Sequence, residues 1–143
     1  MTREPRRLFR EFEHTGDAGV EVDATSRAEL FARAALAMAR LMVEETRIAP
    51  VERRKVEARG DDDAERLHDL LAAALNLFLL DGFIWCDASA REDDERVVLT
   101  LAGERFDRKR HVLLGEIKAV TYHELSVIQM PAGGWRARII FDV

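Results

Sequence analysis

The sequence predicts an α+β domain: a mixed, mostly antiparallel sheet with two helices packed on it, running as a single domain over residues 1–143. Three observations predict it. Two windows repeat apolar residues at helical spacing. Several shorter runs alternate apolar and polar residues, and glycines, prolines and acids fill the gaps between them. The resulting order, β-β-α-β-α and then consecutive strands, is not the strict alternation of a parallel sheet.

Residues 8–13 and 20–24 read as two short strands, and Val20-Glu21-Val22-Asp23-Ala24 alternates as a half-buried strand should. Between them, His14-Thr15-Gly16-Asp17-Ala18-Gly19 forms a polar, glycine-bearing turn. A capping box opens the first helix, with Ser26 accepting from the backbone and Glu29 reaching back. Leu30, Phe31, Ala34, Ala35, Met38, Leu41 and Met42 then form one apolar stripe. Residues 51–59 read as a charged edge strand. Asp61-Asp62-Asp63 opens the second helix, where unpaired N–H groups favour acids, and Gly82 ends it. Its stripe is Leu67, Leu70, Leu71, Ala74, Leu75, Phe78 and Leu79. Phe83–Ala88 and Val97–Ala102 flank an acidic turn. Ile117–Tyr122, Leu125–Gln129 and Trp135–Val143 complete the strands, while 104–115 shows no clear period. On the last strand, alternation puts Trp135, Ala137, Ile139, Phe141 and Val143 on one face. Arg136, Arg138, Ile140 and Asp142 fall on the other.

Composition narrows the function classes. Apolar residues make up 48% of the 143 and charged residues 34%, enough to bury a core and stay in solution. One cysteine, Cys86, forms no internal disulfide, which fits a reducing, cytoplasmic setting. The net charge of −5 and the lack of an aromatic-basic platform argue against strong direct nucleic-acid binding. No apolar run reaches the ~20 residues of a membrane span. Residues 1–7, with the basic run from Arg3 to Arg7, are expected to be a frayed N-terminus.

Phosphate-binding glycine loops, dinucleotide fingerprints, CxxC pairs and nucleophile elbows are all missing. What remains is a scatter of acids and histidines. His14 and Asp17 flank a tight turn, where an imidazole and a carboxylate can share a divalent cation; an Asx-turn with a strand-capping histidine fits the same spacing. Asp142, on the polar face of the last strand and beside the Val143 carboxylate, suits a hard cation or an ion pair with Arg138. Glu116, Lys118 and His123 lie in or beside the alternating stretch from 116 to 123.

Five segments together resemble the archease family. They are Glu13-His14-Thr15-Gly16-Asp17-Ala18-Gly19-Val20, the helix from Leu30-Phe31 to Met38, and Gly103-Glu104 with Asp107 and His111. Ile117-Lys118-Ala119-Val120-Thr121-Tyr122-His123 and the end from Trp135 to Val143 complete the set. They occur in register over nearly the whole chain. Departures are Glu13 for the usual Asp, Gly16 for Ala, and Ala73-Ala74 where a Glu-Trp pair is common. The resemblance implies a non-catalytic activator of the RNA ligase that joins 3′-phosphate or cyclic-phosphate ends to 5′-hydroxyl ends. Such a protein serves tRNA splicing and RNA repair by promoting GTP-dependent guanylylation of the ligase and its repeated turnover. It also implies a divalent metal (calcium, manganese or magnesium) at Asp17, Asp142 and the Val143 carboxylate with His14 nearby. Lys118 is the implied functional lysine, with Glu116 and His123 in support. The competing expectations are a small metal-dependent hydrolase using His14, Asp17 and Asp142, and a general chaperone or adaptor acting through an apolar surface.

Overall fold

The computed structural model describes residues 9–14 and 16–143, apart from the side chains of Glu13 and His14. The expected frayed segment, residues 1–7, lies outside the described residues. The chain order is β1 (Phe9–His14), β2 (Asp17–Ala24), α1 (Arg27–Met42), β3 (Glu52–Ala58), α2 (Asp63–Asp81), β4 (Phe83–Glu92) and β5 (Val97–Arg105). β6 (Ala119–Val120), β7 (Ser126–Gln129) and β8 (Trp135–Asp142) follow. The α+β class is as expected. The strands divide between two sheets, and every pairing among them is antiparallel. One is five-stranded, in the order β1-β2-β8-β6 with β7 also paired to β8; the other is three-stranded, in the order β3-β5-β4.

Local signals set both helices. The Ser26 hydroxyl accepts from the Glu29 N–H at 3.1 Å. Glu29 reaches back to the Thr25 N–H at 2.8 Å, one residue earlier than a capping box requires. Asp62 caps α2 by accepting from the Glu65 N–H at 2.7 Å, and Gly82 stops it at φ +69°, where a side chain would be strained.

The two helices bury different amounts of themselves. α2 buries one stripe, Leu67, Leu70, Leu71, Ala74 and Leu75. α1 is buried on nearly every side, because Ala32, Ala34, Ala35, Ala37 and Ala39 are buried beside its large residues. It touches strands of both sheets, and its alanines let them approach. Trp85 of β4 donates its indole N–H to the Ala35 carbonyl at 3.0 Å, so the largest buried side chain leaves no polar atom unmatched.

The 117–122 strand is shorter than expected, pairing only at Ala119–Val120. Lys118 N–H donates to the Asp142 carbonyl at 2.7 Å and Thr121 N–H to the Ile140 carbonyl at 3.1 Å. β8 ends at Asp142, so residues before Lys118 find no further β8 partner. Glu124, at φ +52°, turns the chain away on the other side.

Candidate functional site

One row of residues crosses the end of the five-stranded sheet. His14 faces Asp17 across the first hairpin, Asp17 faces Asp142 across β2 and β8, and Asp142 faces Ala119 across β8 and β6. Directly opposed residues project from the same face, with Cα atoms about 4.5–5.5 Å apart. Val20, Val22, Ile139 and Phe141 fill the core face, so Asp17 and Asp142 stand together on the outer face. Gly16, at φ +74°, precedes Asp17 in a backbone conformation open to glycine and strained for a residue with a side chain. The His14 side chain lies outside the described residues; only its backbone register is fixed here.

Behind this row is an apolar one. Phe12 faces Gly19, which faces Ile140. A Cβ on Gly19 would lie 2.2 Å from the Phe12 ring, so the glycine makes room for it, and Ile140 is fully buried. Further along, the same face carries an ion-pair ladder. Arg136 donates to Asp23 at 2.7 Å, Arg10 reaches Asp23 at 3.2 Å and Glu21 at 2.9 Å, and Arg138 approaches Glu21 at 3.6 Å. The Arg136 hydrogen bond, helped by Arg10, lowers the Asp23 pKa from 3.8 to about 2.

The other candidate residues separate. Exposed Lys118 and Glu116 line a cleft of about 450 Å³ beside α2, at the same end of the sheet as Asp142. His123 is exposed and lies 3.2 Å from Glu124, whose carboxylate also meets Arg138 at 3.3 Å. That places it with the ion-pair ladder, whose Arg138 lies four residues, or about 13 Å, along β8 from Asp142. Val143 follows Asp142 and is half exposed.

The motif from Glu104 to His111, quoted in the sequence without a role, builds a buried network. The Glu104 carboxylate accepts from the Arg110 guanidinium, from the Ala49 N–H at 2.8 Å and from His111 Nε2 at 2.9 Å. His111 Nδ1 accepts from the Asp107 N–H at 2.8 Å, so the proton sits on Nε2. The Arg110 hydrogen bond is the main cause that lowers the Glu104 pKa from 4.5 to about 2, with Ala49 and His111 adding to it. The network fixes a turn that carries Phe106 and leads into Leu113, both walls of the cleft.

The metal expectation can be tested against the donor set. Among the described residues, no three His, Cys, Asp or Glu side chains cluster to hold a metal. Asp17 and Asp142 offer two carboxylates side by side, and the Asp142 carboxylate has no hydrogen-bond or ion-pair partner among the described residues. Oxygen donors of this kind fit a hard cation and leave most of its six to eight positions open.

Two antiparallel sheets around a buried helix define a small α+β fold. Known proteins share it. The model of the Archease protein family (MTH1598/TM1083) matches residues 9–143. Protein archease of Methanopyrus kandleri is 33% identical over 94% of this chain and 99% of its own length. Protein archease of Thermococcus gammatolerans is 30% identical over 96% of this chain and 99% of its own. The solution structure of Methanobacterium thermoautotrophicum protein 1598 superposes with a TM-score of 0.78 at 29% identity. It covers 96% of this chain and 99% of that one. The chain belongs to the archease family, and at family level that makes it an accessory protein of RNA ligation and tRNA splicing. Among the described residues, no helix is long and apolar enough to cross a membrane.

Proposed function

We propose that this chain activates an RNA ligase of the 3′-phosphate/5′-hydroxyl type, promoting its GTP-dependent guanylylation and repeated turnover without catalysing a reaction itself. The observation that carries the reading is the direct opposition of Asp17 and Asp142. Like charges directly opposite in a sheet are destabilising, and two adjacent carboxylates are relieved by a cation or a proton. The proposed cation ligands are Asp17, Asp142 and the Val143 carboxylate, with His14 beside them. A divalent cation held there would supply positive charge toward a nucleotide phosphate. Asp17 and Asp142 orient their oxygens on a rim that a partner can reach, and Lys118 presents a point charge from the neighbouring cleft. So few protein ligands suit a cation that the partner's site completes.

The test is guanylylation of a competent ligase by GTP over repeated turnovers, with this chain, with Asp142→Ala and without either. Stimulation by the wild-type chain that falls on the order of 100-fold in the variant, with the fold retained by circular dichroism, supports the reading. A wild-type chain that leaves turnover unchanged with calcium, manganese and magnesium each tried refutes it.

A further inference from the structure

The cleft beside Lys118 has a second property. Its floor and walls are apolar: Phe78, Leu79, Phe106, Leu113 and Ile117. The apolar surface extends beyond it. Leu79 is 50% exposed, Leu80 80%, and the consecutive Val112, Leu113 and Leu114 are 53, 49 and 57% exposed. Three exposed branched apolar residues in a row are rare on a soluble surface without a function. They are not loose. Val112 accepts from the Glu44 N–H at 2.9 Å, Leu113 bridges to Val43, and Leu114 N–H donates to the Met42 carbonyl at 2.7 Å. The backbone is thus tied to the end of α1 while the side chains stand outward.

The segment that forms one side of the cleft, residues 104–118, carries five Lys and Arg against three Asp and Glu, although the chain is acidic overall, with a net charge of −5. Arg105 at the end of β5 and Arg108 and Lys109 on the turn after it are exposed and enter no ion pair among the described residues; Lys118 lines the cleft itself, as does Glu116. Arg110 differs, since Glu104 holds it. On this side the surface therefore offers an apolar slot beside an excess of cations, with Glu116 as the acid within it. Its chemical complement is an apolar side chain on a segment that carries carboxylates.

We propose that this cleft is the surface by which the chain grips the ligase. It takes an apolar anchor from an acidic segment of that protein and so sets the Asp17–Asp142 rim against the nucleotide site. The inference rests on the activator reading above, and Lys118, which lines the cleft and whose N–H bonds Asp142, links the two surfaces. The two surfaces divide the labour: the cleft supplies affinity and the rim supplies activation.

The experiment measures the dissociation constant of the ligase for the full chain by titration calorimetry, beside the guanylylation assay. The variants are Leu79→Asp, Leu113→Asp, the pair Arg108→Glu with Lys109→Glu, and Asp142→Ala. Thermal melts confirm that each folds; the half-exposed leucines lose little packing. The expected result is binding weakened about tenfold or more by either aspartate substitution, as for an interface anchor. The double glutamate variant weakens binding and flattens its salt dependence. Asp142→Ala fails to stimulate and loses less affinity than either aspartate substitution. Stimulation by wild type with all cleft variants binding within about twofold overturns the cleft proposal alone. A wild-type chain that neither binds nor stimulates overturns both proposals. Single-stranded RNA bound by wild type and released by the same substitutions, with ligase binding intact, overturns the cleft proposal in favour of nucleic acid.

Discussion

The two ends of the five-stranded sheet's outer face are built on the same strands and follow opposite charge rules. At one end acids stand opposite arginines: Asp23 faces Arg136 and Glu21 faces Arg138. At the other end an acid stands opposite an acid, Asp17 against Asp142. The buried Ile140 and the Phe12 ring packed on Gly19 separate them. Cross-strand ion pairs stabilise a sheet and like-charge pairs weaken it, each by ~0.2–1 kcal/mol. The first end is therefore explained by folding alone. The second sets two like charges against each other, a pairing that is unfavourable taken by itself and that the proposed cation would relieve.

Exchanging the rules tests this most strongly. Asp142→Arg sets opposite Asp17 the residue type that Asp23 already faces. Stimulation of the ligase should fall on the order of 100-fold, as in Asp142→Ala. The melting temperature should hold or rise slightly, since a repulsion becomes an attraction of ~0.2–1 kcal/mol. A variant that still stimulates would remove the acidic end from the function. One that unfolds would show that the end is structural after all.

A smaller effect comes from cation binding in the absence of a ligase. At 100 times its dissociation constant, a divalent cation that binds only the folded chain stabilises it by about 2.7 kcal/mol. Calcium, manganese or magnesium should raise the melting temperature of the wild type and leave that of Asp142→Ala unmoved. An equal rise in both would place the bound cation elsewhere on this acidic surface.

How far these ends could be read in the sequence follows from how local their causes are. The helix boundaries were legible, because Ser26 with Glu29, Asp62 with Glu65, and Gly82 act within one turn. The burial of α1 on nearly every side was not, since a stripe of large residues conceals the work of Ala32, Ala37 and Ala39. The split into two sheets was hidden for a different reason. Strand alternation reveals a face but not a partner. Asp17 and Asp142 could each be named from resemblance, yet their contact depends on a pairing across 125 residues of chain, read from their positions. The segment from Glu104 to Lys118 stayed opaque because it has no period. Carboxylate and histidine hydrogen bonds to backbone and side chains hold it, and these leave no hydrophobic pattern.

The smallest prediction concerns the compensated end, where acid should act. The Asp23 pKa is lowered from 3.8 to about 2, so its ion pairs contribute stability that is present above the unfolded value and lost as pH falls through about 2. That depression corresponds to at most ~2.4 kcal/mol, and solvent screening of a side chain 44% exposed reduces it to about 1 kcal/mol. Denaturant unfolding of wild type and Asp23→Asn should differ by about this amount at pH 5 and converge toward pH 2. Glu104 titrates in the same window, with its pKa lowered from 4.5 to about 2, but it is common to both proteins and cancels in the difference. Ligase stimulation at neutral pH should be equal in the two, because Asp23 lies on the far side of the apolar row from Asp142. A stability difference that stays flat with pH would mean that Asp23 contributes by packing and not by charge. A loss of stimulation would mean that the two ends are one site.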